Sequence, residues 1–177
     1  MRNIAPVLYA AAACAAAGCA VPAASSASEF SGSCVAAGIA SFDAQLGIAP
    51  AIRAHVYEGS GTCTGTLDGQ PVLLAPYEHR VQFPVGANSC TANAGVDGEG
   101  TIAIDPPQGP AREIRFLQSV PGLGSVEAVT LRGRDGGSAL GTLLLPPSRE
   151  LGDQCTAGEI QDAAQALVWS TVTPLSG

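Results

Sequence analysis

Two residues capable of acid–base chemistry flank the strongest hairpin signal in the chain. The dipeptide Asp68-Gly69 is typical of a two-residue β-turn. In such a hairpin Leu67 faces Gln70, and counting back along both strands places Glu58 opposite His79. A carboxylate beside an imidazole raises the pKa of the histidine and can serve general acid–base catalysis. Glu58 and His79 are therefore the candidate polar pair, with a purely structural pair as the alternative reading.

The same register sorts the hairpin residues onto two faces. The face shared with Glu58 and His79 is expected to line the core: Ala54, Val56, Ser60, Thr64, Leu73, Tyr77, Val81 and Phe83. The opposite face is expected to meet water: Arg53, His55, Tyr57, Glu78, Arg80 and Gln82. Buried beside an ionised Glu58, His79 is expected to titrate above its ordinary pKa of about 6.5. A bulge at Gly59 or Gly61 would shift this register.

Other catalytic and ligand-binding signatures do not occur in the sequence. There is no Gly-x-Ser-x-Gly elbow, phosphate loop or dinucleotide fingerprint, and His55 is the only histidine besides His79. The segment Asp97-Gly98-Glu99-Gly100 lacks the ligand spacing of a calcium loop and is better explained as a bent strand. We therefore assign no catalytic residue, no cofactor and no metal. Trp169 is expected in the core.

The elements that must position these residues are short β-type runs separated by glycine and proline. The eight predicted strands are Cys34–Phe42, Ile52–Thr66, Pro71–Phe83, Cys90–Asp105, Ala111–Ser119, Val126–Gly133, Ser138–Leu145 and Ala163–Thr173. A short helix around Thr156–Asp162 is expected before the last strand. The pattern predicts an all-β fold, either an eight-stranded antiparallel meander barrel or a flattened sandwich.

Four cysteines are expected to form two disulfides. Cys34, Cys63, Cys90 and Cys155 form an even, widely spaced set without the close pairs of a zinc site. In a meander Cys34 and Cys63 share one end and the other two share the opposite end. Because a disulfide needs Cα atoms within about 7 Å, the predicted links are Cys34–Cys63 and Cys90–Cys155.

The N-terminus has the pattern of an export signal. Arg2 precedes an uncharged apolar run, so residues 1–19 are predicted to be a signal peptide. Cys19, after Gly18, is a candidate for lipidation. The small residues Ser25-Ser26-Ala27 offer the alternative of cleavage before Ser28. Residues 20–30 would then be a tether or cleavage region, and residues 31–177 a single β domain.

The charge balance excludes some partners. The chain has 15 acidic residues and 8 arginines, with no lysine, for a net charge of −7. Such a surface argues against nucleic-acid binding and against electrostatic attachment to anionic lipid. The acidity itself indicates no particular partner. Because the chain has an export signal, the partner is expected to be an unknown extracytoplasmic ligand or protein.

Several short motifs resemble those of small secreted, disulfide-containing, β-rich proteins of high-GC Gram-positive bacteria. They are Gly61–Leu67, Ser89-Cys90, Gly136–Ala139 and Thr173–Gly177. The resemblance implies export and a β domain and transfers no activity. The expected role is therefore binding or interaction at the cell envelope or in the medium, without catalysis. The alternatives are a secreted protease inhibitor and a hydrolase that uses Glu58 and His79.

Overall fold

Eight antiparallel strands form a closed barrel in which each strand pairs with the next and the last pairs with the first. The computed structural model describes residues 27–90, 97–120, 126–145 and 149–177. The elements are β1 Glu29–Leu46, β2 Ala51–Leu67, β3 Gln70–Asn88, β4 Gly98–Ile104, β5 Arg112–Ser119, β6 Val126–Gly133, β7 Gly136–Leu144, α1 Arg149–Ala157 and β8 Ile160–Ser176. The predicted eight-stranded meander is confirmed in its barrel form, as is a short helix before the last strand.

Some predicted boundaries are wrong for identifiable reasons. The helix lies earlier than Thr156–Asp162, because Gly158 adopts a positive φ of 75° and ends it. The N–H of Gly158 donates to the carbonyl of Cys155, and the chain then enters β8 at Ile160. β4 begins at Gly98 instead of Cys90, whereas β1 begins earlier than predicted, at Glu29. Within the described ranges, no helix is long and apolar enough to cross a membrane.

Both predicted disulfides are present. Cys34 on β1 lies directly opposite Cys63 on β2, with 4.1 Å between their Cα atoms, and both side chains are buried in the barrel. Cys90, after β3, is joined to Cys155 of α1 with 5.9 Å between Cα atoms. The two links lie at opposite ends of the barrel, as the meander requires.

Alternate side chains along the strands point inward and fill the barrel. The largest fully buried ones are Trp169, Tyr77, Phe30, Phe83, Phe116, Leu46, Ile102, Ile104, Ile114, Leu131, Leu167 and Leu175. The indole of Trp169 packs edge-on against Phe30, and its Nε1–H donates to the hydroxyl of Tyr77 at 3.3 Å. The prediction that Trp169 belongs to the core is confirmed.

The hairpin between β2 and β3 contains a bulge that the sequence analysis placed elsewhere. Asp68 and Gly69 form the predicted turn, both with positive φ, and Leu67 faces Gln70. Farther along, Gly65 pairs with Val72 but Cys63 pairs with Ala75, so two leucines of β3, Leu73 and Leu74, oppose Thr64 alone. Neither Gly59 nor Gly61 hosts it.

Leu74 carries the backbone strain of this bulge. Its φ is 51°, in the left-handed region that disfavours residues with a Cβ, and its side chain is 64% exposed. Its N–H donates to the Thr64 hydroxyl at 3.1 Å, which anchors the bulge.

Leu74→Gly is expected to raise the free energy of unfolding by about 1 kcal/mol, because glycine adopts this φ without strain and little buried surface is lost. Leu73→Gly is the matched control. It should lower the free energy of unfolding, because Leu73 does not have a positive φ and glycine only adds flexibility there. Urea unfolding of the two variants measures both changes. Equal destabilisation by the two glycines would contradict the strain at Leu74.

Candidate functional site

The predicted pairing of Glu58 with His79 is wrong. The bulge shifts the register by one residue, so Glu58 lies opposite Arg80 and His79 lies opposite Gly59. Glu58 points outward, where its Oε1 forms an ion pair with Arg80 Nε at 3.2 Å, and His79 points into the barrel. The two side chains are therefore on opposite sides of the sheet and cannot act together.

Because of this one-residue shift, the β2 side chains that were predicted to point inward point outward, and the reverse. Most β3 side chains point in the predicted direction. His55 and Tyr57, expected in water, are buried, whereas Ser60 and Thr64 are exposed. On β3 the inward positions Tyr77, Val81 and Phe83 are as predicted, and the outward Glu78, Arg80 and Gln82 are exposed. Leu73, predicted inside, is exposed because it is part of the bulge.

His79 occupies a neutral, aromatic environment in the centre of the barrel. Its Nε2 hydrogen-bonds to the Gln118 side-chain oxygen at 2.9 Å, and its ring meets Tyr57 and Phe116 edge-on at 5.5 and 5.1 Å. Burial lowers the pKa of His79 to about 4, and the hydrogen bond to Gln118 opposes this shift only in part. This corrects the expected rise in pKa, which required a carboxylate beside the ring.

His55 is the second buried imidazole. Its ring stacks on Phe83 at 4.2 Å and lies 5.0 Å from Phe42. Burial lowers its pKa to about 4 as well, opposed by the negative charge of Asp43. Both histidines are therefore neutral at pH 7, and neither is positioned as the protonated partner of a carboxylate.

Three buried polar atoms have no hydrogen-bond partner among the described residues: His55 Nδ1, His79 Nδ1 and the Tyr57 hydroxyl. The Tyr57 ring lies against Gly59, where any Cβ would collide with its hydroxyl at 2.5 Å. Burial raises the pKa of Tyr57 to about 12, so this hydroxyl is protonated at any physiological pH.

A small cavity adjoins these groups. Its volume is about 10 Å³, and its lining residues are His55, Tyr57, Phe83, Gln118, Val120, Leu143 and Gln165. This is the size of about one water molecule, whereas ligand pockets measure roughly 300–1,000 Å³. This cavity can therefore hold at most a structural water beside the polar atoms that the described residues place around it, and it is too small for a substrate.

The four disulfide cysteines are engaged with one another and offer no metal ligands. Within the described residues, no group of three or more His, Cys, Asp or Glu side chains is placed to hold a metal ion.

The outer surface of the barrel is divided into two contrasting faces. On the first, which we call the charged face, Arg80, Arg115 and Arg134 form ion pairs with Glu58, Glu113 and Glu99 at 2.8–3.2 Å. The arginines, Glu99 and Glu113 line a shallow groove of about 440 Å³. Because each of these exposed arginines already has a carboxylate partner, the groove has little unbalanced charge with which to select a charged ligand.

The second face, which we call the uncharged face, covers the part of the outside of β6, β7, β8 and β1 that lies between the outward charged residues Arg132 on β6 and Asp162 on β8. Its described members are Ser33, Val35, Ala37, Ile39, Val126, Ala128, Thr130, Leu140, Thr142, Leu144, Ala164, Ala166, Val168, Ser170 and Val172. Its large aliphatic side chains are 38–64% exposed. A largely aliphatic exposed surface is a feature that protein interaction sites share, so this face is a candidate site.

The hydroxyl groups on this face are compatible with burial. Ser33 and Ser170, which lie opposite each other on β1 and β8, form a side-chain hydrogen bond of 2.7 Å. Covering this pair would therefore cost less than covering isolated hydroxyls, since each already has a partner.

The uncharged face was not predicted from the sequence, although the sequence contains a signal for it. In the stretch from Cys34 to Ala37, and again from Ala166 to Trp169, successive residues are apolar on both sides of the strand. Such continuous apolar runs are typical of strands that are covered on both faces. In the barrel only the inner side is covered by the chain itself.

Comparison with known protein families, curated proteins and solved structures finds no match to this chain. The function proposed below is therefore based on the geometry of the barrel.

We expect the free energy of unfolding to fall as pH drops from about 6.5 to about 4. In that range the unfolded chain binds protons at His55 and His79 that the folded protein, with both pKa values lowered, does not bind. The loss is at most about 3 kcal/mol for each histidine, at about 1.4 kcal/mol for each unit of pKa difference. Urea unfolding at pH 7.5 and pH 4.5 measures this decrease in the free energy of unfolding. The decrease should be smaller in His79→Gln, which has only one buried histidine.

An NMR titration provides the control. Glu58→Gln should leave the titration of His79 unchanged, because Glu58 lies outside the barrel. A His79 pKa near 6.5 in the folded protein would contradict the burial argument.

Proposed function

We propose that this protein is an extracytoplasmic interaction protein that binds a protein partner through the uncharged face of its barrel. The observation that carries the proposal is the aliphatic surface that β6, β7, β8 and β1 expose together. The filled barrel interior serves as a rigid support for this surface. No catalytic step is part of the proposal.

Features of the barrel support an interaction role over the alternatives. The interior cavity of about 10 Å³ is too small for a small-molecule ligand. A hydrolase that uses Glu58 and His79 is not favoured, because the two side chains lie on opposite sides of the sheet. Of the two disulfides, Cys34–Cys63 joins two strands inside the barrel, so it does not support an exposed inhibitory loop.

The location of the protein is part of the proposal. Two disulfides are consistent with an oxidising compartment outside the cytoplasm. We propose export by the signal peptide, followed by attachment through a lipid on Cys19 or release after cleavage before Ser28. The predicted signal peptide with Cys19, and residues 20–26 of the tether, lie outside the described residues, which begin at Ala27.

Photo-cross-linking in cells that export the protein tests the interaction role. A benzophenone amino acid at Thr142, in the middle of the uncharged face, should give a covalent adduct with a protein. The same group at Gln82, exposed on the charged face, should not. Equal yields at the two positions, or no protein adduct at Thr142, would overturn the proposal.

Cys19→Ala tests the mode of attachment. With a lipid anchor, the variant should shift from the membrane fraction to the soluble fraction, because a protein without the acyl chains loses its membrane affinity. Immunoblots of both fractions measure the shift. A wild-type protein that is soluble, with Ser28 as its first residue, would rule out the anchor while leaving the interaction role intact.

A further inference from the structure

We infer that the partner on the uncharged face is a second copy of this chain, which forms a two-fold symmetric dimer. The inference rests on the proposed function, because it names the partner for the same face. It depends on the order of large and small side chains on that face, on its area and on the position of the charges.

Two neighbouring rows of side chains cross the four strands of the uncharged face. The first row runs Val35, Val168, Thr142, Ala128 and the second runs Ala37, Ala166, Leu144, Val126. On each strand a larger residue of one row lies beside a smaller residue of the other. On β1 and β8 the larger residue is in the first row, and on β7 and β6 it is in the second.

This alternation makes the face complementary to itself. Consider a two-fold axis that lies in the interface, runs perpendicular to the strands and passes between the two rows. This axis places the first row of one copy opposite the second row of the other copy. Val168 of one copy then faces Ala166 of the other, and Leu144 faces Thr142. The outside of a closed barrel is convex, so β7 and β8 face the second copy most directly, and on these two strands each larger side chain meets a smaller one.

The area is sufficient for a weak dimer. Four strands about 4.8 Å apart, with about 3.3 Å per residue between Ala164 and Val172, give a face of roughly 500 Å² for each copy. Because the outside of a closed barrel is convex, a second copy covers only part of this face, and the total buried area, below roughly 1,000 Å², is that of a weak, transient dimer.

The charges favour a second copy over a membrane surface. The described ion pairs of the charged face lie on β2 to β5 and the turn after β6, away from the proposed interface, so repulsion between two acidic copies is reduced by distance. Trp, Tyr, Arg and Lys are the residues that anchor proteins at lipid headgroups. None of them is among the described members of the uncharged face.

Face-to-face contact is also the mode of association that the topology leaves open. Because the eight described strands form a closed barrel, every strand has a neighbour on both sides, and only the ends of longer strands such as β3 extend past their partners.

Sedimentation equilibrium of the protein purified from exporting cells tests the dimer. Val168→Arg is expected to raise the dissociation constant at least about tenfold, because the charge is buried without a partner. Val85→Arg is the matched control: Val85 is 62% exposed on β3, outside the uncharged face, and the variant should dimerise like the wild type. Melting curves establish that both variants are folded.

Mixing two variants tests the geometry. Ala166→Glu should also weaken self-association, but an equimolar mixture with Val168→Arg should form heterodimers, since the new charges face each other across the axis. A mixture of Val168→Arg with Leu140→Glu should not be rescued, because Leu140 lies in neither of the two rows.

A wild-type protein that remains monomeric up to millimolar concentration would overturn the dimer. If Thr142 then cross-links to a protein of another mass in cells, the proposed function stands and only the identity of the partner is wrong. If the monomer instead sediments with neutral phosphatidylcholine vesicles and Val168→Arg abolishes this, the face is a lipid contact and both proposals fail.

Discussion

The alternation of side chains in a closed barrel is the constraint on which the other properties depend. Every strand residue points either into the core or outward, and pairing on both sides of each strand leaves little freedom to change this assignment. The bulge at Leu73 and Leu74 sets the relation between β2 and β3. By adding one residue to β3 opposite Thr64, it directs His55 and Tyr57 inward and Glu58 outward. A single strained φ thereby decides which polar groups are in the interior.

The chemistry of the interior follows from that assignment. Polar side chains enclosed with aromatic rings and without a carboxylate are stable only in their neutral forms, which is why burial lowers the pKa values of both histidines. The pairs His79–Gln118 and Trp169–Tyr77 satisfy part of the hydrogen-bonding capacity and orient the rings. The interior is thus a packed core with a few polar members, and any recognition must occur on the outside.

The features that could be predicted from the sequence are those set by local chemistry or by topology. The strand number, the Asp68-Gly69 turn and both disulfides were predicted, because turn residues and the two ends of a meander constrain them directly. The true partners of Glu58 and His79 could not be predicted, because they depend on the register between β2 and β3, which is interrupted between Gln70 and His79. The bulge breaks that register at two leucines, residues that carry no turn signal and disfavour positive φ. Gly59 and Gly61 were the more obvious hosts, but Gly59 instead makes room for Tyr57.

The contrast between the two outer faces links the fold to recognition. A barrel of this size needs inward apolar residues on all strands, but it does not need outward ones. Val35, Val168 and Leu140 point outward and contribute little to the core of one chain, whereas the outward ion pairs of Arg80, Arg115 and Arg134 are ordinary solvated surface. A strand that is apolar on both sides is stable in water when something covers its second side. Each strand of the barrel has a neighbour on both sides, so a partner that covered these side chains would pack against the face of the sheet with a surface of matching shape.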